Sequence, residues 1–311
     1  MKSQAKKITI LGSGVWGKTL GLLASRACVT LWSRRSPETI ESAIEEADVI
    51  LSAVAIKGVR PTIAKLQNVK ISNNPILVTA TKGLDPLTSQ TPSQIWHEAF
   101  PDYPIVVLSG PNLSKEIQKG LPAATVVASH DRQAAETVQG IFASEKFRVY
   151  LNQDPLGTEL GGTLKNIMAI AAGVCDGMQL GTNAKAALLT RALREMIRVG
   201  TFLGADRETF FGLSGLGDLL ATCDSPLSRN YQVGYRLAEG KNLEQILSEL
   251  EGTAEGVNTT AVLVNLAREK DIIVPISSQV DRLLKGESTP LESVSALMKR
   301  DLKAEFYDLD F

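Results

Sequence analysis

Near its start the chain reads Ile8-Thr9-Ile10-Leu11-Gly12-Ser13-Gly14-Val15-Trp16-Gly17. Residues 8–12 are predicted to form a strand and residues 15–26 a helix. Three glycines in the spacing Gly-x-Gly-x-x-Gly run from the end of the strand, through the turn, to the start of the helix. Gly12 permits the tight turn, Gly14 lets a pyrophosphate approach the backbone, and Gly17 lets the helix pack closely on the strand. The free N–H groups that begin the helix attract an anion. The motif therefore predicts a dinucleotide site, and a glycine-rich turn that binds nothing is the alternative.

The end of the predicted second strand, residues 29–32, bears on the choice of cofactor. An NAD site usually has Asp or Glu at this point, where the carboxylate binds the ribose hydroxyls. Here the chain continues with Ser33, Arg34 and Arg35, and two guanidinium groups can bind a 2′-phosphate. We predict that NADP(H) is preferred and that NAD(H) can also serve. The alternative is that the two arginines form a solvated turn.

The two halves of the chain differ in their hydrophobic patterns. Short runs rich in Val and Ile alternate with helical patterns in the first half, with strands predicted at 48–54, 76–80, 105–109 and 125–129. This alternation predicts an α/β Rossmann domain with a parallel, doubly wound sheet. Helical periodicity replaces it after about Leu156, beginning with residues 157–174. We predict a dinucleotide-binding domain at 1–155 and an all-α substrate and catalytic domain at 156–311.

The composition limits the class of protein. Across 311 residues, 33 Lys and Arg face 34 Asp and Glu, so neither nucleic acid nor an anionic membrane is an expected partner. Two His and three widely spaced Cys predict no metal site and no disulfide framework. A proton carrier is then expected among Lys, Asp and Glu. No apolar run is long enough to span a membrane, and the N-terminus lacks the apolar segment of a signal peptide, so we predict a cytoplasmic protein.

Two lysines are candidates for chemistry. Lys82 follows a predicted strand, and ligands of open parallel sheets bind beyond the carboxyl ends of strands; a surface lysine is the alternative. Lys165 lies in the apolar helix at 157–174, where a lysine needs a partner or a chemical role. Burial lowers the pKa of a lysine, which suits a residue that exchanges protons. A lysine whose amine reaches solvent is the alternative reading.

Two further polar motifs lie in the second half. Asp218 follows a glycine-rich turn and precedes an apolar run, so it is either a site carboxylate or simply a helix N-cap. Arg229 stands between Ser228 and Asn230. A guanidinium flanked by small hydrogen-bonding side chains suits a phosphate group.

Together these motifs resemble those of the bacterial-type NAD(P)-dependent glycerol-3-phosphate dehydrogenases. The matching segments occur in family order over nearly the whole chain, at residues 12–17, 80–84, 109–116, 164–166, 215–219, 228–230 and 255–256. The resemblance implies a Rossmann domain and a helical domain with the active site between them. It implies reversible NAD(P)H-dependent reduction of dihydroxyacetone phosphate to sn-glycerol 3-phosphate, which supplies glycerophospholipid synthesis. It also raises the expectation of a homodimer.

The resemblance implies roles for individual residues. Lys165 would accept the hydroxyl proton during oxidation, with Asp218 orienting its ammonium and Lys82 completing the catalytic set. The implied substrate contacts are Lys82, Gly110, Asn112, Lys165, Asn166, Asp218, Thr222, Ser228, Arg229 and Asn230. The implied cofactor contacts are Gly12, Ser13, Gly14, Trp16, Gly17, Arg34, Arg35, Lys82, Ser114, Arg229, Thr253 and Glu255.

The chain departs from the family pattern in three places. Val15 replaces the usual Ser, Asn112 stands where many members have Thr or Ser, and the segment between Trp32 and Asp48 is short.

Two other functions are alternatives. A related β-hydroxyacid dehydrogenase would act on a carboxylate substrate without a phosphate. A non-catalytic NADP(H)-binding regulator would bind nucleotide without turnover, which the set Lys165, Asp218 and Arg229 argues against.

Overall fold

A single sheet of seven strands organises the first half of the described chain. The structure is a computed structural model that describes residues 5–302 and 304–305. In chain order the strands are β1 (Lys7–Leu11), β2 (Cys28–Trp32), β3 (Val49–Ser52), β4 (Ile76–Thr79), β5 (Ile105–Ser109), β6 (Ala123–Ala128) and β7 (Phe147–Asn152). The helices between them are α1 (Val15–Leu23), α2 (Ile40–Ile44), α3 (Ile56–Gln67), α4 (Pro92–Ala99), α5 (Ser114–Gln118) and α6 (Arg132–Phe142).

Both faces of the sheet are covered, which explains the Val- and Ile-rich strands. On one face Ile10 of β1 packs with Leu20 of α1 and with residues of α6. On the other face Leu11 of β1 packs with Val59 of α3 and with residues of α2 and α4. Successive side chains of a strand point to opposite faces, so a strand covered on both sides needs apolar residues at consecutive positions.

The order of the strands reverses direction between β1 and β3. The order is β2-β1-β3-β4-β5-β6-β7, so the chain turns one way from β1 to β2 and the other way through β3, β4 and β5. These five strands are mutually parallel, and Leu11 at the end of β1 pairs with Ser52 at the end of β3. Ligands of open α/β sheets bind beyond the carboxyl ends of strands at such a reversal.

The sheet is mostly parallel, as predicted, and one pair of strands departs from that arrangement. β6 pairs with β5 in the antiparallel sense, and β7 runs parallel to β6. The cause lies in the connection between β5 and β6, where Gln118 of α5 donates a hydrogen bond to Thr19 of α1 at 2.7 Å. Because this short helix remains at the carboxyl edge of the sheet beside α1, the chain re-enters from that edge and β6 runs back.

Beyond β7 the described chain is helical. Its α-helices are α7 (Pro155–Gly177), α8 (Gly181–Phe202), α9 (Asp218–Cys223), α10 (Arg229–Ala238), α11 (Leu243–Glu249), α12 (Glu255–Glu269), α13 (Pro275–Leu284) and α14 (Pro290–Met298). A 3-10 helix (Arg207–Phe211) and a π-helical turn (Leu213–Gly217) precede α9. The Asp154 carboxylate caps α7 by accepting a hydrogen bond from the Gly157 N–H at 2.8 Å. α7 is buried along most of its length and forms the centre of the helical core.

The backbones of α7 and α10 are in direct contact. A Cβ atom built on Gly173 would lie 2.1 Å from the carbonyl oxygen of Tyr231, and one built on Gly234 would lie 1.9 Å from that of Ile170. Any side chain at either position would collide with the opposite main chain. The two glycines therefore allow a close approach that fixes the start of α10 relative to α7.

The predicted fold class, a Rossmann domain followed by a helical domain, is confirmed by this architecture. The helix predicted at 157–174 is α7, although it begins at Pro155 and ends at Gly177. The edge strand β7 was not predicted, because buried Phe147 and Val149 alternate in it with exposed residues and form no continuous apolar run. No helix of the described residues is long and apolar enough to cross a membrane.

Candidate active site

The turn between β1 and α1 separates the roles of the three glycines. Gly12 has a φ of +122°, and a Cβ atom built on Gly17 would lie 1.8 Å from the carbonyl oxygen of Gly12. The protein's own packing therefore requires both residues. Gly14 is the N-cap of α1, with an ordinary extended backbone and no atom within 4 Å of a Cβ built on it. The space above Gly14 is open, as an approaching pyrophosphate would need.

A tight turn presents the two arginines that follow β2. The Ser36 N–H donates to the Ser33 carbonyl oxygen at 2.9 Å, and the Ser33 N–H donates to the Ser36 hydroxyl at 3.0 Å. Arg34 and Arg35 are both exposed on this turn. Trp16 is half-buried against the sheet core beneath the opening of α1. The turn lies at the carboxyl end of a strand adjacent to β1, where the ribose side of a dinucleotide would lie.

Two lysines from different parts of the chain meet on one buried carboxylate. Lys165 Nζ of α7 donates to Asp218 Oδ1 at 2.9 Å, and Lys82 Nζ, from the segment after β4, donates to Asp218 Oδ2 at 2.5 Å. The Asp218 side chain is 2% exposed and that of Lys82 is 24% exposed. Lys165 also donates to the Thr222 hydroxyl, one turn further along α9, at 2.5 Å. The residue is only 7% exposed and its amine is bound to Asp218 and Thr222, which argues against the alternative of an amine held in solvent.

The electrostatics of this cluster favour a lysine that titrates near neutral pH. Burial lowers the pKa of Lys165 to about 8, helped by the positive charge of Lys82 and opposed by Asp218. Burial alone would raise the pKa of Asp218, but the two lysines outweigh it and hold that pKa below its usual value. The cluster thus combines a stable carboxylate with an amine that can exchange a proton.

Asp218 does not act as a helix N-cap. The N-cap of α9 is Gly217, and the Asp218 carboxylate is directed to the two lysines. A π-helical turn, residues Leu213–Gly217, leads directly into α9. Such turns are rare and concentrate at functional sites.

A chain of amide hydrogen bonds connects α7 to the proposed phosphate-binding residues. Asn230 Nδ2 donates to Asn166 Oδ1 at 2.9 Å, and Asn230 Oδ1 accepts from the Gly256 N–H at 3.0 Å. Ser228 caps α10 by accepting from the Tyr231 N–H at 3.2 Å. These contacts fix the orientation of Asn230 at the N-terminus of α10.

Arg229 begins α10 and is exposed. A Cβ atom built on Gly252 would lie 2.6 Å from an Arg229 guanidinium nitrogen, so the guanidinium lies against the segment before α12. Thr253 in that segment is exposed. Burial raises the pKa of Glu255, while Lys57 and Arg229 oppose that shift by their charge. The structure thus brings Arg229, Thr253 and Glu255 into one region.

In the segment after β5, the Asn112 side chain makes hydrogen bonds within the protein. Asn112 Nδ2 donates to the Ala124 carbonyl oxygen at 3.1 Å, and Asn112 Oδ1 accepts from the Thr125 hydroxyl at 2.9 Å. The side chain predicted to contact substrate is therefore engaged with β6. The Gly110 carbonyl oxygen lies 3.5 Å from Lys82 Nζ, and Ser114 is the first residue of α5.

Sequence reasoning missed Lys57 and Cys223. Lys57 is the second residue of α3, beyond the carboxyl end of β3, so the rule that ligands bind at strand ends could have found it. Cys223 is fully buried near Lys165 and Asp218, and burial raises the pKa of its thiol to about 12, so it remains protonated. Among the described residues, no group of His, Cys, Asp and Glu side chains could hold a metal ion.

Comparison with known proteins bears directly on this arrangement. Residues 37–135 match the family described as NAD-dependent glycerol-3-phosphate dehydrogenase N-terminus, and residues 154–295 match the corresponding C-terminus. The chain is 62% identical to glycerol-3-phosphate dehydrogenase (NAD(P)+) of Acaryochloris marina, over 97% of this chain and 98% of that protein. It is 61% identical to the protein of the same name from Synechocystis, over 98% and 96% of the two chains.

A solved structure gives the same result at greater evolutionary distance. The crystal structure of glycerol-3-phosphate dehydrogenase from Coxiella burnetii superposes with a TM-score of 0.90 at 33% identity, covering 95% of this chain and 99% of the other. The similarity thus extends over both the sheet and the helical region. This chain belongs to the family of NAD-dependent glycerol-3-phosphate dehydrogenases.

Proposed function

We propose that this protein catalyses the reversible reduction of dihydroxyacetone phosphate to sn-glycerol 3-phosphate with NAD(P)H, a step that supplies glycerophospholipid synthesis. The observation that carries the proposal is the buried pairing of Lys165 and Lys82 with Asp218. A carbonyl reduction needs a proton donor beside the ketone oxygen, and Lys165 can supply one near neutral pH. The names of the close relatives support this choice of substrate.

A bound nicotinamide would supply the hydride, and Lys165 is the residue proposed to exchange the proton. During reduction the Lys165 ammonium donates its proton to the substrate oxygen. During oxidation the neutral amine accepts the hydroxyl proton of glycerol 3-phosphate. Asp218 and Thr222 hold the amine in place through their hydrogen bonds. Lys82 adds a second positive charge next to the oxygen on which negative charge develops.

The substrate phosphate is proposed to bind at the start of α10. Arg229 offers a guanidinium that can form paired hydrogen bonds with phosphate oxygens. The N-terminus of a helix adds N–H groups without intrahelical partners and a favourable dipole. Asn230 is held in place by Asn166 and Gly256, so it can bind phosphate or glycerol oxygens without losing further side-chain freedom. Gly110 and Ser228 are proposed to contribute backbone and hydroxyl contacts.

The cofactor is proposed to bind across the carboxyl edge of the sheet. Its pyrophosphate would lie above Gly14, where no protein atom fills the space. Arg34 and Arg35 support a preference for NADP(H), since their guanidinium groups can bind a 2′-phosphate. The other proposed cofactor contacts are Gly12, Ser13, Trp16, Gly17, Lys82, Ser114, Arg229, Thr253 and Glu255.

Three further features stay predictions. We propose a domain division after residue 155, supported by the end of β7 at Asn152 and the start of α7 at Pro155. A homodimer would be tested by light scattering of the purified protein. A cytoplasmic location would be tested by cell fractionation.

The test of the proposed function is a spectrophotometric assay of NADPH and NADH oxidation with dihydroxyacetone phosphate. Rapid oxidation with this substrate, and none with a β-ketoacid, is the expected result. Turnover of the carboxylate substrate alone would favour the β-hydroxyacid dehydrogenase reading. Tight NADPH binding without turnover of either substrate would favour a regulator.

A further inference from the structure

Two contacts on one face of α7 tie this helix to the segment that carries Lys82. Thr163 Oγ1 accepts a hydrogen bond from the Gly83 N–H at 3.0 Å. One turn earlier, the Glu159 carboxylate accepts the Ser93 N–H at 3.0 and 3.1 Å and the Ser93 hydroxyl at 2.5 Å. Ser93 is the second residue of α4, so Glu159 lies at the positive end of that helix dipole.

Lys82 lies between anchors on both sides. Before it, the Thr81 hydroxyl donates to the Val54 carbonyl oxygen at 2.9 Å and fixes the segment to the loop between β3 and α3. After it, Leu84 is 1% exposed and packs inside the helical core with residues of α7. The backbone around Lys82 therefore takes its position from α7 through Leu84, Thr163 and Glu159.

We propose that Glu159 is a positioning residue for the reaction. By holding the start of α4 on α7, it fixes Lys82 relative to Lys165, so that both ammonium groups meet on Asp218. Glu159 is 1% exposed, so it acts through these residues without touching the substrate. The inference rests on the proposed catalytic roles of Lys165 and Lys82.

Stability alone is a poor reason for a carboxylate at this position. Burial raises the pKa of Glu159 to about 7, although its hydrogen bonds with Ser93 and Thr91 oppose that shift. A buried ionisable group often contributes less to stability than apolar residues of similar volume. The hydrogen bonds of the Glu159 carboxylate instead fix the positions of the Ser93 N–H and hydroxyl, and so the position of the start of α4.

The chain contains a matched control in Glu195 of α8. Its carboxylate accepts the Ile276 N–H at 2.8 Å, the Ser277 N–H at 2.8 Å and the Ser277 hydroxyl at 2.6 Å. Glu195 is likewise 1% exposed and lies at the start of a helix, α13. Neither α8 nor α13 carries a residue proposed for the site. Removal of either carboxylate costs the same hydrogen bonds to the start of a helix. Glu195 also interacts with the charge of Arg198, and Glu159 is connected to Lys82.

The experiment compares Glu159→Ala with Glu195→Ala in the full chain. Both variants should unfold at lower temperature than the wild type. Glu159→Ala should also lower kcat for dihydroxyacetone phosphate by about 10–100-fold, the size of effect that a misplacement of about 1 Å produces. Glu195→Ala should keep kcat near the wild-type value. Glu159→Gln, whose amide can still accept from and donate to Ser93, should recover most of kcat.

Equal effects of the two alanine variants on kcat, or an unchanged kcat in Glu159→Ala, would overturn the proposal. If Glu159→Ala does not fold, Ser93→Ala and Ser277→Ala repeat the comparison with one hydrogen bond removed from each contact. Lys165→Ala separates the two levels of inference. An active Lys165→Ala variant would contradict the proposed catalytic site. An inactive Lys165→Ala variant together with a fully active Glu159→Ala variant would contradict only the positioning role of Glu159.

Discussion

Replacing Lys165 by Ala removes the amine that lies 2.9 Å from Asp218 Oδ1. Asp218 keeps Lys82 as a partner on its other oxygen, so the buried carboxylate is not left without a counter-charge. We therefore expect a folded protein that still binds NADPH. Loss of a general acid or base lowers the rate by about 10²–10⁴-fold, which corresponds to about 3–5 kcal/mol of transition-state stabilisation. The effect should appear in kcat in both directions of the reaction.

The assay is the steady-state change in NADPH absorbance, with nucleotide fluorescence titration as the control for binding. Lys165→Arg is the matched variant, since it keeps the positive charge but cannot lose a proton near neutral pH. It should therefore fail to restore oxidation of glycerol 3-phosphate. A Lys165→Ala enzyme that retains more than about a tenth of the wild-type kcat would refute the reasoning, and Lys82 would become the next candidate.

Other changes test the remaining parts of the site. Oxidation of glycerol 3-phosphate should rise with pH through about 8 and ketone reduction should fall over the same range, because Lys165 loses its proton there; flat profiles would contradict this. Arg34→Ala with Arg35→Ala should weaken NADPH binding by about 1–3 kcal/mol and spare NADH, and equal losses would count against a 2′-phosphate site. Arg229→Ala should raise KM for dihydroxyacetone phosphate but not for dihydroxyacetone, and an unchanged KM would demote it to a surface residue. Gly14→Val should fold, since no atom lies within 4 Å of a Cβ built there, yet lose NADPH binding; an unchanged affinity would remove the assignment.

Local patterns were enough to predict six of the seven strands and the glycine turn. Gly12, Gly14 and Gly17 are recognisable because strand, turn and helix follow one another directly in sequence. The direction of β6 was not predictable in this way. It depends on where α5 packs, and the Gln118–Thr19 contact joins residues far apart in the chain.

The candidate site likewise has parts that local sequence predicts and parts that depend on contacts between distant residues. A lysine in the apolar helix α7 indicated a buried amine, and Asp218 was its expected partner. The arrival of Lys82 on the same carboxylate could not be read from sequence, since 136 positions separate the two residues. Glu159 was missed because its partner, Ser93, lies in a helix that the hydrophobic pattern did not reveal.

The contact between α7 and α10 has a consequence for substrate length under the proposed roles of Lys165 and Arg229. If Lys165 exchanges the proton and Arg229 binds the phosphate, the main chains of two touching helices set the distance between these groups. Gly173, about 12 Å along α7 from Lys165, and Gly234 leave no gap into which either helix could slide. A homologue with one more carbon between its carbonyl and its phosphate could not satisfy both groups at once. Selection of substrates by chain length would then depend on Gly173 and Gly234, two glycines that do not contact the substrate.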